Sequence, residues 1–212
     1  STYNLVPTYK GGYEDTMTAG IAAFRAKQQP NIIQIFDAGA ATIINAKGAT
    51  VPVADLMIQH AGGFDISDYI SGVRYFYADS DGKMIGMPFN SSTPLLYWNK
   101  DAFAKAGISS PPKTWEEFES IAPKLKDAGF QALAQSHSPW IFSENFHSRH
   151  NIQLATANNG YDSTDTKILY NNDHMKMHWS KVKEWLDKGW YGFYGRAWGD
   201  NQDAFVQKNM KL

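Results

Sequence analysis

The chain has 212 residues, 43% of them hydrophobic, with 20 basic residues against 21 acidic ones. That much apolar material argues against disorder, and the balanced charge leaves no clustered basic excess for a nucleic-acid surface. There is no cysteine, which removes disulfides, thiolate metal sites and cysteine nucleophiles together, and no apolar run approaches the roughly 20 residues that cross a bilayer.

In chain order, Tyr3 to Tyr9 is a short β-prone run. Because Ser1 to Val6 reads as the start of a strand and not as a leader, a segment is expected to have been removed upstream. After Gly11-Gly12, Met17, Ile21 and Phe24 recur at helical spacing within Tyr13 to Lys27. Pro30 closes that helix, and Asn31 to Phe36 is a continuous apolar run of the buried-strand type. Asp37 and Gly39 open a second helix reaching Gly48, and Val51 to His60 reads as a third. Alternation of strand and helix predicts an α/β fold with a largely parallel sheet.

From Tyr75 the pattern changes. Tyr75-Phe76-Tyr77 and Met84 to Met87, separated by Ser80-Asp81-Gly82, predict a hairpin closed at Asp-Gly. Asn90-Ser91-Ser92-Thr93 interrupts it before the apolar run Leu95 to Trp98, and the domain boundary is placed there, giving residues 1–90 and 91–212. A short helix follows from Lys100 to Ala106, ended by Gly107. Thr114-Trp115-Glu116-Glu117 has capping-box spacing and starts a helix that carries Trp115, Phe118, Ala122 and Leu125 on one side, with a kink expected at Pro123. Asp173 to Lys188 is the clearest helix, with Met175, Trp179, Val182 and Leu186 on one face, Asp173 at its start and Gly189 at its end. A last short helix is predicted over Asp200 to Asn209.

The motifs of common catalysts are missing. No Gly-x-Gly-x-x-Gly, no phosphate-binding loop and no Gly-x-Ser-x-Gly elbow occurs. Glu116 and Glu117 sit in a helix's first turn, where the macrodipole accounts for them. His137, Glu144, His147 and His150 form the sharpest metal candidate, but they lack His-Glu-x-x-His spacing and solvated or capping histidines are the commoner outcome, so neither a metal nor a cofactor is expected. Two features favour binding. Seven Trp, eleven Tyr and twelve Phe supply flat rings that pack on the carbon faces of polyols and sugars. Asn90 to Thr93 supplies neutral donors in a row, suited to hydroxylated or phosphorylated ligands.

Several segments resemble one family. Val6-Pro7-Thr8-Tyr9-Lys10-Gly11-Gly12-Tyr13, Ala19 to Arg25 and Pro88-Phe89-Asn90-Ser91-Ser92-Thr93-Pro94 are similar to the periplasmic sn-glycerol-3-phosphate-binding proteins of the Ugp ABC importer. Tyr97 to Phe103, Pro112 to Trp115 and Trp140 to Phe146 continue the likeness. Asn-Lys-Asp and Pro-Lys-Thr-Trp mark only the wider group of extracytoplasmic sugar binders, whereas Gly-Gly-Tyr and Asn-Ser-Ser-Thr are more specific.

The resemblance implies a periplasmic-binding-protein-like fold of type II, two lobes with a hinge and ligand held between them, in the periplasm or lipid-anchored outside a Gram-positive cell. It implies no enzyme activity, and as partners a small-molecule ligand and the importer's membrane subunits. Tyr13, Asp37, Ser92 and Trp140 match binding positions of the family. Asp37 would accept from glycerol hydroxyls, Tyr13 and Ser92 would donate to phosphate or glycerol oxygens, and Trp140 would pack on the carbon chain. Asp37 stands where the family usually carries glutamate, and His137 where it usually carries a second tryptophan, which brings glycerophosphodiesters and other polar head groups into the expected ligand range. Against the family, the chain is expected to be truncated at both ends, lacking the first strand and helix of one lobe and the C-terminal portion with its arginine for the anion. The sheet edges so exposed predict a homodimer.

Overall fold

The computed structural model describes residues 3–46, 48–61, 65–79, 81–136, 139–160, 162–163, 165–196 and 199–206. The chain forms two compact units, Ser1–Ser92 and Thr93–Leu212.

In the first unit, α1 (Tyr13–Arg25) starts where Gly11, at φ +102°, turns the chain so that the Gly12 N–H donates to Asp15 Oδ2 at 3.1 Å. A side chain on Gly11 would collide with Asp15, so this turn requires glycine. α2 (Asp37–Ile44) and α3 (Val53–His60) follow the expected helices with shorter ends. Gly39 is the second position where glycine is needed, because a Cβ there would meet the Phe36 ring and the Met17 sulfur at 2.8 and 2.9 Å. That close approach draws α1, Phe36 and α2 together. A single turn α4 (Ser71–Arg74) leads into a tight loop.

The expected hairpin exists in reduced form. Ala78 and Met84 make one antiparallel bridge, and Asp79 closes the turn by accepting from Gly82 N–H through its carbonyl and from the Asp81 and Lys83 N–H groups through its carboxylate. Tyr75-Phe76-Tyr77 is turn and not strand. The returning arm lies on the start of α3, where Ala54 and Val53 N–H donate to the Met84 and Ile85 carbonyls and Lys83 pairs with Asp55 at 2.8 Å.

Three expected strands are corrected. Tyr3 to Tyr9, Asn31 to Phe36 and Leu95 to Trp98 belong to no strand and form no ladder among the described residues. Ile32, placed in a buried strand by its neighbours' apolar character, is 82% exposed.

The second unit holds the paired strands and most of the buried residues. α5 (Lys100–Lys105) is capped by Asn99, whose side chain accepts from the Asp101 and Ala102 N–H groups. α6 (Trp115–Asp127) is capped by Thr114, which accepts from Glu117 N–H; Glu117 reaches back to the Lys113 N–H at 2.6 Å, one residue earlier than in the standard box. α6 continues as one element through Pro123. β1 (Leu133–Gln135) then leads to a π-helical turn, Pro139–Glu144, and α7 (Asn145–Arg149). The short turn α8 (Thr156–Asn159) is wound left-handed at Ala157 and Asn158. α9 (Asp173–Asp187) is followed by β2 (Tyr191–Phe193) and α10 (Gln202–Val206). β1 and β2 pair in parallel, Leu133 opposite Tyr191 and Gln135 opposite Phe193, with helices between them in sequence, which is the α/β arrangement in small.

The cap of α9 is Asn172, accepting from Met175 N–H, and not Asp173. Its buried face keeps Met175 and Val182 as expected but takes His178 and Trp185 in place of Trp179 and Leu186. Met175, His178, Val182 and Trp185 are enclosed, Trp179 is half-buried and Leu186 is half-exposed. Trp185, 1% exposed, packs on Phe118, Ala122, Phe142, Val182 and Tyr191 to form the core, and its indole N–H donates to Glu119 at 2.9 Å. The last helix, expected over Asp200 to Asn209, is described only as far as Val206.

Candidate functional site

Tyr13 and Asp37 are brought together in the first unit through Phe36. Tyr13 is the first residue of α1, and its ring stacks on Phe36 with centroids 5.4 Å apart and planes 16° from parallel. Phe36 is the N-cap of α2, so the next residue, Asp37, projects from the first turn. There its Oδ1 accepts from the Ala38 N–H at 2.8 Å, an arrangement favoured by the positive end of the helix dipole. Both Tyr13 and Asp37 are exposed. The group therefore presents an aromatic ring, a phenol and a carboxylate to whatever approaches.

The hairpin loop of the same unit carries a tyrosine that the sequence reading did not select. Burial, and after it the carboxylate of Asp37, push the phenol of Tyr77 in the hairpin loop above the usual tyrosine value. Within Tyr75-Phe76-Tyr77 nothing in composition separates this tyrosine from its neighbours.

Ser92 is exposed, outside any helix or strand, at the end of the first unit, and no hydrogen bond ties it to Tyr13 or Asp37 among the described residues. Trp140 belongs to the second unit. It is half-buried in the π-helical turn, where its carbonyl accepts from the Asn145 side-chain amide at 2.7 Å. His137 lies outside the described residues.

Two histidines of the metal candidate, His147 and His150, are engaged otherwise. His147 is 2% exposed, with Nδ1 2.8 Å from the Ser143 carbonyl and Nε2 3.3 Å from the Asn172 amide. His150 places its Nδ1 2.8 Å from the Phe146 carbonyl. Among the described residues no group of three potential ligands comes together to hold a metal. Instead Phe146 is sandwiched, with His178 stacked at 4.0 Å and His150 tilted at 4.2 Å. His178 is depressed to about 4, first by burial and then by the neighbouring His150 charge, with His147 adding to the effect and the Phe142 carbonyl opposing it. Close by, the Tyr170 hydroxyl is 2.8 Å from both Ser143 Oγ and the Trp179 indole nitrogen.

Comparison with known proteins supplies the context. The family of bacterial extracellular solute-binding proteins matches residues 3–212. The chain is 42% identical over 201 residues to the sn-glycerol-3-phosphate-binding periplasmic protein UgpB of Rhizobium meliloti (strain 1021), covering 93% of this chain and 47% of that protein. It is 41% identical to the UgpB proteins of Brucella abortus (strain 2308) and Escherichia coli (strain K12), covering 93% and 92% of this chain and 46% and 45% of those proteins. The chain thus spans about half the length of the relatives it matches. No helix among the described residues is long and apolar enough to cross a membrane.

Proposed function

Because the chain belongs to the bacterial extracellular solute-binding protein family, we propose that the protein of which it forms part captures sn-glycerol 3-phosphate or a glycerophosphodiester outside the cytoplasm and passes it to the membrane subunits of an ABC importer. The observation that carries this reading is the meeting of Tyr13 and Asp37 across Phe36, two residues matched to binding positions from separate segments of sequence. A carboxylate is an acceptor only and suits the hydroxyls of glycerol; a phenol can donate to a phosphate or hydroxyl oxygen. Trp140 of the second unit packs on the carbon chain in this reading, and Ser92 and His137 complete the polar contacts. Ligand touching both units stabilises their closure by a hinge motion. The protein is a periplasmic or lipid-anchored carrier and not a catalyst.

Asp37 is one methylene shorter than the glutamate expected at its position, which leaves room for a bridging water or a larger head group and favours a diester as the variant ligand. The test is calorimetry on the full-length protein with sn-glycerol 3-phosphate, glycerophosphocholine and maltose. Micromolar binding of either phosphate compound supports the reading. Binding of the sugar alone makes the protein a general sugar binder, and a stoichiometric metal with diester hydrolysis makes it an enzyme. The 212-residue chain, which spans about half the length of its relatives, is a second sample for measurement. Its exposed apolar segments around Leu5, Val6, Leu95 and Tyr97 lead it to pair with a second copy, read by light scattering as a dimer mass.

A further inference from the structure

Resting on the binding reading above, we propose that Asn145 is a positioning residue for ligand capture, whose side-chain amide fixes the backbone of Trp140 and so sets the place of the ring that packs on the ligand's carbon chain. Trp140 is carried by the π-helical turn Pro139–Glu144. A turn of this width is rare, is met mostly as a single turn, and recurs at functional sites. Here side chains of the following helix, α7, close it. Asn145 Nδ2 donates to the Trp140 carbonyl at 2.7 Å, five residues back. The bond is partly enclosed, so water competes less for it than at an open surface.

The far end of the turn is fixed independently. His147 Nδ1 lies 2.8 Å from the Ser143 carbonyl, which can only accept, so the ring proton sits on Nδ1. Nε2 is then an acceptor, and it faces the Asn172 side-chain nitrogen at 3.3 Å. The orientation of that amide is set in turn, because Asn172 Oδ1 accepts from the Met175 N–H at 2.9 Å as the cap of α9. Phe142, 2% exposed, seats the same turn in the core cluster with Phe118 and Trp185. Phe142 and His147 thus hold the end of the turn to the body of the unit, and Asn145 holds its beginning at Trp140 itself. A binding ring held in place before ligand arrives does not have to be ordered on association. Removing the Asn145 amide takes away no ligand contact, yet it releases the backbone from which the ring projects.

The experiment is a double-mutant cycle read by calorimetry on the full-length protein, with sn-glycerol 3-phosphate and with glycerophosphocholine. Its corners are wild type, Asn145→Ala, Trp140→Leu and the double variant; Asn145→Leu repeats it with a side chain of similar shape and no donor. Asn145→Ala is expected to weaken binding about fivefold in the wild-type background and to cost nothing further once the Trp140 ring is gone. Ser148→Ala, exposed on the same helix, should bind as wild type. The change in tryptophan emission that ligand produces in wild type and not in Trp140→Leu should shrink in Asn145→Ala at saturation. Wild-type affinity with an undiminished emission change, an equal loss in both backgrounds, or failure of both Asn145 variants to fold makes Asn145 a structural residue and overturns the proposal. Unchanged affinity in Trp140→Leu overturns it as well, and each of these results leaves the transport reading standing. A wild-type protein that binds neither compound defeats the transport reading and this inference with it.

Discussion

Among its described residues the first unit buries only Gly39, Ala40 and Met84, whereas the second encloses Phe118, Ala122, Phe142, Val182, Trp185 and Tyr191 in one aromatic cluster. Apolar side chains are plentiful in both. In the first unit Leu5, Val6 and Ile32 remain about four-fifths exposed, because extended segments without a paired neighbour have no layer to pack against. In the second, α6 and α9 bring their apolar faces together over a small parallel sheet. Burial is therefore a property of layered elements and not of composition, and the residues matched to ligand binding on α1 and α2 lie in the unit with the smaller core.

The comparison breaks most visibly if cores are emptied in turn. Trp185→Ala should cost about 3–5 kcal/mol in urea denaturation of the full-length protein, since it leaves a large cavity and strips Glu119 of a donor. Ile32→Ala in the first unit should stay within about 0.5 kcal/mol. Equal costs would mean that Ile32 is covered in the complete protein and that the contrast between the units is not intrinsic.

Function should divide the other way. Asp37→Asn is expected to weaken ligand binding roughly ten- to a hundredfold by calorimetry, because bonds to a charged acceptor are worth more than neutral ones, and to leave the unliganded Tm unchanged because the side chain is exposed. A large loss of Tm would turn Asp37 into a structural residue.

How far the sequence foretold this differs between elements. Helix α6 was legible because its Thr114 cap, its Glu117 and its apolar spacing are all local. α9 was legible as a helix but not in its rotation. Apolar or aromatic side chains occupy Trp179 and Leu186 as well as Trp185, so the pattern alone admits two faces, and the choice was made by packing against Phe118 and Phe142. The three extended runs have strand preference without a nearby partner, and β1 and β2, only three residues each, are too short to stand out. At the site, Tyr13 and Asp37 came from likeness to a family, and no local pattern in the sequence joins the two; the Phe36 ring that links them is a product of tertiary packing.

The buried imidazole sharpens the contrast further. His178 titrates near 4 in the folded second unit against about 6.5 when unfolded, so between these values the unfolded chain holds a proton that the native one refuses. Stability should therefore fall as pH drops from about 6.5 to about 4, with no contribution from this residue to the slope above that window. His150 and His147 are the titratable neighbours that add to the effect. A His178→Leu variant should show a shallower loss of urea midpoint across that window, and an unchanged slope would show that other groups carry the acid sensitivity. The smallest effect expected is at Lys183, paired with Asp187 at 2.6 Å on the exposed side of α9; Lys183→Ala should shift stability by less than about 0.5 kcal/mol, and less still in high salt.

The hydroxyl of Tyr170 is a junction between its surroundings. The indole of Trp179 can only give a hydrogen, so the Tyr170 oxygen must receive it, and the same hydroxyl meets Ser143 Oγ at 2.8 Å in a bond that either partner can donate. The hydroxyl thus ties α9, through the loop before it, to the π-helical turn that carries Trp140. A phenylalanine at position 170 would interrupt that tie at its middle link and leave Trp179 and the enclosed Ser143 each facing an empty place.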